Sequence, residues 1–158
     1  MTVRNGEFAA QYIDDGEVPD DHIQPNGVEL SVGKLETIDG VPRVKEGEYN
    51  KGVRTPVEPY DDGYAVLTNG AYVVTYNEKI EIPEGYLGYV FPRSRLTRCG
   101  GFLTTALWDS GYIGKGEGLL MAQTKMKVEL GMKIAQIVFL DAEDPEIMYD
   151  GSHQHENL

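Results

Sequence analysis

Phe102-Leu103-Thr104-Thr105-Ala106-Leu107-Trp108, running straight into Asp109-Ser110-Gly111, is the stretch on which the architecture turns. Its apolar, β-branched and aromatic residues predict a strand, and the Asp-Ser-Gly that follows predicts a tight turn. Tyr72–Tyr76, Leu87–Phe91 and Ile134–Phe139 have the same character. Turn signals at Asn69-Gly70, Pro83-Glu84-Gly85, Ser110-Gly111 and Gly114-Lys115-Gly116 separate these runs. The gaps are too short for crossover helices of roughly a dozen residues, so the fold class expected is all-β with antiparallel pairing. A single helix is predicted, Ser94–Cys99, capped by Ser94 and stopped by Gly100-Gly101. The polar segment from Ile38 to Asp62 reads as an excursion from the sheet or a long loop. From about Asp141 the chain is polar again, which predicts one β domain over residues 1–158 with a mobile C-terminal tail.

Composition sets the outer limits. The chain has 158 residues, 41% of them hydrophobic, enough to bury roughly 70% of the surface an unfolded chain of that size exposes. Its 19 Gly and 8 Pro follow no period, and no apolar run reaches membrane-spanning length, so fibrous and membrane classes are not expected. Asp and Glu number 26 against 14 Lys and Arg, a formal net charge of -12. Such a surface repels a nucleic-acid backbone, whereas a mononucleotide needs only a few cations focused in one cleft. The same acidity suits a high-salt environment, where repulsion is screened within a few ångströms. Met1–Ala10 lacks a basic stretch followed by an apolar one, and one cysteine makes no internal disulfide, so a cytoplasmic location is expected.

Pro92-Arg93-Ser94-Arg95-Leu96-Thr97-Arg98 gathers guanidinium groups, a hydroxyl and the free N–H groups of a first helical turn. That chemistry suits phosphate oxygens, and the alternative is a solvated basic turn paired with surface carboxylates. Asp109 ends an apolar strand at the entry to the glycine-bearing hairpin Ser110–Gly114. Rigid β structure there can fix a carboxylate to orient water while outward-facing hairpin backbone reads a flat base. The alternative is a turn in which the Asp109 side chain bonds the backbone two residues on. Gln136, within the apolar run Ile134–Phe139, must find a partner in the sheet or on a ligand. Glu29 lies on a strand after the Gln24-Pro25-Asn26-Gly27 turn. Cys99 reads as a small, partly buried apolar side chain, and His22, His153 and His155 as surface histidines. No Walker loop, Cys-x-x-Cys or His-x-Glu pairing is present.

Taken in order, the Ile-Gln-Pro turn with its acidic strand, Pro-Arg-Ser with a short helix, Asp-Ser-Gly-Tyr-x-Gly, Gly-x-x-Ile-Ala-Gln-Ile-Val-Phe and a Gly-Ser-x-Gln tail resemble the dUTPase and dCTP deaminase superfamily. The match runs from about Ile23 to Leu158 and is nearest the archaeal-type dUTPase branch. The resemblance implies a distorted antiparallel β-barrel or jelly-roll-like fold and a homotrimer with sites between subunits. It assigns phosphate contacts to Arg93, Ser94, Arg98 and Gln136, and nucleoside contacts to Thr105, Trp108 and Tyr112, with Tyr112 packing beneath deoxyribose. It implies a tail that closes over the phosphates around Gly151 to Gln154, with Gln154 a phosphate contact. It also implies Mg2+ held mainly by the triphosphate, with Glu29, one methylene longer than the usual aspartate, a candidate for holding water or metal.

Hydrolase and deaminase differ in one carboxylate. In the deaminases a glutamate ten residues beyond the third-motif aspartate shuttles protons at the amine-bearing ring carbon, and counting from Asp109 that position is Leu119. Leucine transfers no proton, while Asp109, the water-activating acid of the dUTPases, is intact. The expected activity is hydrolysis of dUTP to dUMP and diphosphate. Glu117 lies one pleat step from Leu119, displaced by roughly 6–7 Å on the same strand face, which keeps dCTP deamination, alone or combined, as the alternative. A nucleotide sensor that keeps the site without turnover is an alternative of another class.

Overall fold

Alternation of side chains builds the interior. In Glu117–Ala122 the residues Gly118, Leu120 and Ala122 are buried while Glu117, Leu119 and Met121 face outward. Tyr86–Pro92 repeats the pattern, burying Gly88 and Val90 and exposing Tyr89 and Phe91. Period-2 burial of this kind is what one solvated and one packed sheet face require.

The computed structural model describes residues 2–143 and 145–158. Its main sheet contains β1 (Gly27–Asp39), β2 (Gly70–Tyr76), β3 (Tyr86–Pro92), β4 (Gly101–Thr104), β5 (Glu117–Ala122) and β6 (Lys133–Asp141). They are ordered β4-β5-β2-β1-β6-β3, and every pairing is antiparallel. The long β1 serves two partners: Val28–Ser31 pairs with β6, and Val32–Thr37 pairs with β2 after a register shift between Val32 and Lys34. This shift bends the sheet so that β4 packs beside β3 and the barrel nearly closes. Inside lie Val28, Leu30, Leu35, Tyr76, Ile137 and Phe139, all 1% exposed or less. Gly27 permits the closest approach between strands. It has φ +131°, and a Cβ there would stand 2.1 Å from the Ile137 carbonyl oxygen.

Several expectations change in detail. The run Phe102–Trp108 is a strand only to Thr104; the chain then crosses the barrel seam, and Trp108 exchanges backbone hydrogen bonds with Gly88 of β3, at 2.8 and 3.2 Å. The predicted helix spans Ser94–Arg98, but its cap residue is Arg93 and no side chain caps it, because Ser94 already lies inside the first turn. A second short helix, Gly6–Ala10, is capped by Asn5, whose Oδ1 accepts the Phe8 amide at 2.9 Å. Cys99 is exposed rather than partly buried. His22 is enclosed, its side chain 15% exposed and its Nδ1 2.9 Å from the Glu29 carbonyl oxygen. The segment after β1 forms the hairpin Arg43–Lys45/Glu48–Asn50, then returns as Val53–Pro56 along the far end of β1.

Among the described residues no helix is long and apolar enough to cross a membrane. The net charge of -12 makes self-repulsion a destabilising force that salt screens. Thermal unfolding is therefore expected to move up by about 5 °C or more between 0.1 and 2 M KCl; a Tm that falls with KCl contradicts this.

Candidate active site

Asp109 closes its turn with the main chain and leaves its side chain free. The Asp109 carbonyl accepts the Tyr112 amide at 3.1 Å, Ser110 is buried with its hydroxyl donating to the Tyr86 carbonyl, and the exposed Asp109 carboxylate has no hydrogen bond among the described residues. The carboxylate is thus not consumed by the turn, and it sits at the rim of a cavity of about 320 Å³.

Aromatic rings make the wall of that cavity. Trp108 and Tyr112, each 6% exposed, meet edge-to-face with ring centroids 5.1 Å apart, and Tyr149 of the tail meets Tyr112 at 5.7 Å. Thr105 does not line the cavity; its hydroxyl accepts the Trp108 indole N–H at 3.1 Å and so fixes the ring. Burial, then the nearby Glu156 carboxylate, pushes the Tyr112 phenol above its usual range, so it stays a neutral donor to Glu156 Oε1 at 2.9 Å. The indole also lies against Gly116, where a Cβ would come 2.1 Å from Trp108 Cη2. Gly116→Ala must push the ring aside, a small-to-large change costing about 1–3 kcal/mol. It should lower Tm and weaken nucleotide affinity together. An unchanged Tm contradicts the packing, and unchanged affinity contradicts the wall.

Glu117 and Glu156 also line the cavity, whereas Leu119, the position the deaminase comparison singled out, does not. Beyond Glu117 and His153 a second hollow of about 400 Å³ extends to Tyr49 and Lys51. This brings the excursion hairpin to the site. Folding assembles Tyr149, His153 and Glu156 around the same cavity as Asp109, with Tyr49 and Lys51 in the adjoining hollow; local sequence gives no signal for this grouping.

The arginine-bearing elements lie apart from this cavity. None of Arg93, Ser94, Arg98 or Gln136 lines it. Arg93 Nε is 2.6 Å from Glu29 Oε1, and Lys133 Nζ is 3.6 Å from Glu29 Oε2. Arg93 Nη1 donates to the Lys133 carbonyl at 3.3 Å, which leaves Nη2 without a partner among the described residues. Ser94 and Arg98 are exposed, and Gln136 donates to the Asn26 carbonyl at 2.9 Å. Glu29, 5% exposed and held between two cations, is a partner of Arg93 and does not fit a metal ligand. No three His, Cys, Asp or Glu side chains among the described residues converge to hold a metal ion.

Gln154 is placed on the hairpin instead of with the phosphate residues. Its Oε1 accepts the Ile113 amide at 3.0 Å and its Nε2 donates to the Gly111 carbonyl at 2.8 Å. The hairpin edge expected to face outward with free backbone groups is covered by the tail.

Comparison with known proteins agrees with the fold. The family model described as dCTP deaminase-like matches residues 3–142. A probable deoxyuridine 5'-triphosphate nucleotidohydrolase of Halobacterium salinarum is 40% identical over 156 residues, covering 96% of this chain and 93% of that protein. Its namesake in Aeropyrum pernix is 39% identical, covering 86% and 87%. The deoxyuridine 5'-triphosphate nucleotidohydrolase of Methanocaldococcus jannaschii is 30% identical, covering 85% and 88%. Among solved structures, the 2'-deoxycytidine 5'-triphosphate deaminase of Agrobacterium tumefaciens superposes with a TM-score of 0.64 at 19% identity, covering 89% of this chain and 48% of that one. That likeness concerns the fold. By the extent of the matched model and of these relatives, the chain belongs to the dCTP deaminase-like family, within its dUTPase-related members.

Proposed function

We propose that this protein hydrolyses dUTP to dUMP and diphosphate, with Asp109 as the base that orients and deprotonates the attacking water. The observation that carries the reading is the unencumbered Asp109 carboxylate at the rim of an aromatic-walled cavity. Relatives 30–40% identical over most of the chain carry the dUTP nucleotidohydrolase name. Water adds to the α-phosphorus as the bond to the bridging oxygen breaks, diphosphate leaves with that electron pair, and the water proton passes to Asp109. Trp108 and Tyr112 provide the apolar wall for the nucleoside.

The cavity wall holds Asp109, Glu117 and Glu156 and no Lys or Arg, so a triphosphate cannot settle there without cations from elsewhere. Two sources complete it in this reading. Magnesium arrives as the dUTP complex, ligated by phosphate oxygens and water. Arg93, Ser94, Arg98 and Gln136 come from another copy of the chain in a homotrimer. The outward Tyr89, Phe91 and Phe102, 47%, 53% and 55% exposed, supply apolar surface for that association.

Glu117 supports the second reading, dCTP deamination, because it faces the same cavity as Asp109. Incubation with dUTP and dCTP separates the two: diphosphate from dUTP with no ammonia from dCTP is expected. Ammonia release from dCTP that Glu117→Gln abolishes would establish the deaminase, and analogue binding without any product would establish a sensor.

A further inference from the structure

The excursion hairpin adds nothing to the core. Both of its strands, Arg43–Lys45 and Glu48–Asn50, are exposed along their whole length, and none of their residues belongs to the hydrophobic cluster inside the barrel. Its position is nonetheless fixed at both ends. Tyr49 lies edge-on to the His153 ring of the tail, with centroids 6.4 Å apart. Asn50 Oδ1 accepts the Gly52 amide at 2.9 Å and closes a turn around Lys51, after which Val53–Pro56 pairs with Glu36–Asp39 of β1. Tyr49 and Lys51, two residues apart on extended chain, share one side of it. Both line the hollow of about 400 Å³, and Asn50 between them does not.

Charge distinguishes that hollow from its neighbours. The two cavities with Asp109 in their walls are lined by no Lys or Arg. The hollow beneath the excursion hairpin adjoins the aromatic-walled cavity through Glu117, His153 and Glu156, which line both, and Lys51 is its one lysine or arginine. Lys45 of the same hairpin pairs with Glu48 at 3.7 Å. Lys51, by contrast, is exposed and has no ion-pair partner among the described residues. Its ammonium is therefore free to meet an anion.

We propose that Lys51 binds the distal phosphates of the nucleotide whose α-phosphate lies at Asp109, so that the excursion hairpin is the part of the site that tells a triphosphate from a monophosphate. This rests on the dUTP reading above, and it adds a cation from the same chain to those supplied by magnesium and by another copy. An ammonium on a flexible stem follows a phosphate chain as a point charge without demanding one geometry. It also offsets the repulsion of Glu117 and Glu156, the two carboxylates common to both hollows. A lysine that is merely solvated predicts no change in nucleotide affinity when its charge is removed.

The test titrates the full chain, Lys51→Gln and Lys51→Arg with a non-hydrolysable α,β-imido dUTP analogue and Mg2+, and measures dUMP by displacement of that analogue. Lys51→Gln should raise the analogue Kd by about fivefold to tenfold, between the worth of an exposed ion pair and that of an enclosed charged hydrogen bond. Affinity for dUMP should not change, and Lys51→Arg should recover most of the loss. The side chain is exposed, so Tm should hold in both variants. Unchanged analogue affinity in Lys51→Gln overturns the inference, while dUTP hydrolysis by the parent keeps the dUTP reading. Analogue and dUMP affinities that fall together also overturn it, because Lys51 would then act on the nucleoside or through the fold. A parent that neither binds the analogue nor hydrolyses dUTP overturns the dUTP reading, and the inference with it.

Discussion

Asp109→Asn is expected to lower turnover of dUTP by about two to four decades while leaving analogue affinity within a fewfold of the parent, the pattern of a group used only in the transition state. The exposed carboxylate has no hydrogen bond to lose among the described residues, so the amide fits the same turn and Tm should hold. That isosteric fit makes the result interpretable: a fall in kcat without a fall in stability or affinity isolates proton transfer. Single-turnover kinetics with the analogue Kd measured alongside gives all three quantities. Near-parental turnover would remove Asp109 from the mechanism and return the cavity's chemistry to Glu117 or Glu156.

Arg93→Ala carries the second large effect, and it falls on two properties at once. Glu29 is 5% exposed and meets Arg93 Nε at 2.6 Å, with Lys133 a more distant second cation at 3.6 Å. Removing the near partner strands a buried carboxylate, which costs about 3–5 kcal/mol. The remaining lysine places the expected value at the low end, roughly 3 kcal/mol. For a chain of this size that is a fall in Tm of roughly 6–12 °C. The variant also loses the free Nη2 donor, so analogue affinity should fall by about tenfold or more. Combining Glu29→Gln with Arg93→Ala separates the effects, because it removes the stranded charge and should recover much of the Tm without recovering affinity. Full recovery of affinity in the double variant would show that Arg93 serves stability alone.

These two residues also mark what the sequence discloses and what it withholds. Strand identity is legible because β-branched and aromatic runs of four to seven residues bounded by Gly and Asn turns carry their own signal, as in β2 and β3. Antiparallel pairing follows from the short gaps. The Glu29–Arg93 pair is different: β1 and β3 are joined through β6, where Gln136 faces Glu29 and Ala135 faces Pro92. Only long-range register brings the two charges together, so the same glutamate read locally looks like a free acid. Trp108 shows the same limit. Its run predicts a strand to the end, yet the chain leaves β4 after Thr104 because a bridge to Gly88 and an indole against Gly116 are available only across the closing barrel. The tail is the furthest from legible, since its polar composition reads as mobility while its docking depends on a hairpin edge some forty residues earlier.

Hydrolysis of dUTP in H2 18O, with mass analysis of both products, tests the central claim most directly. Attack by an Asp109-activated water at the α-phosphorus predicts one 18O in the phosphate of dUMP and none in diphosphate, with the labelling rate falling in parallel with turnover in Asp109→Asn. Label appearing in diphosphate, or in the ring carbonyl of a uracil product formed from dCTP, would contradict it.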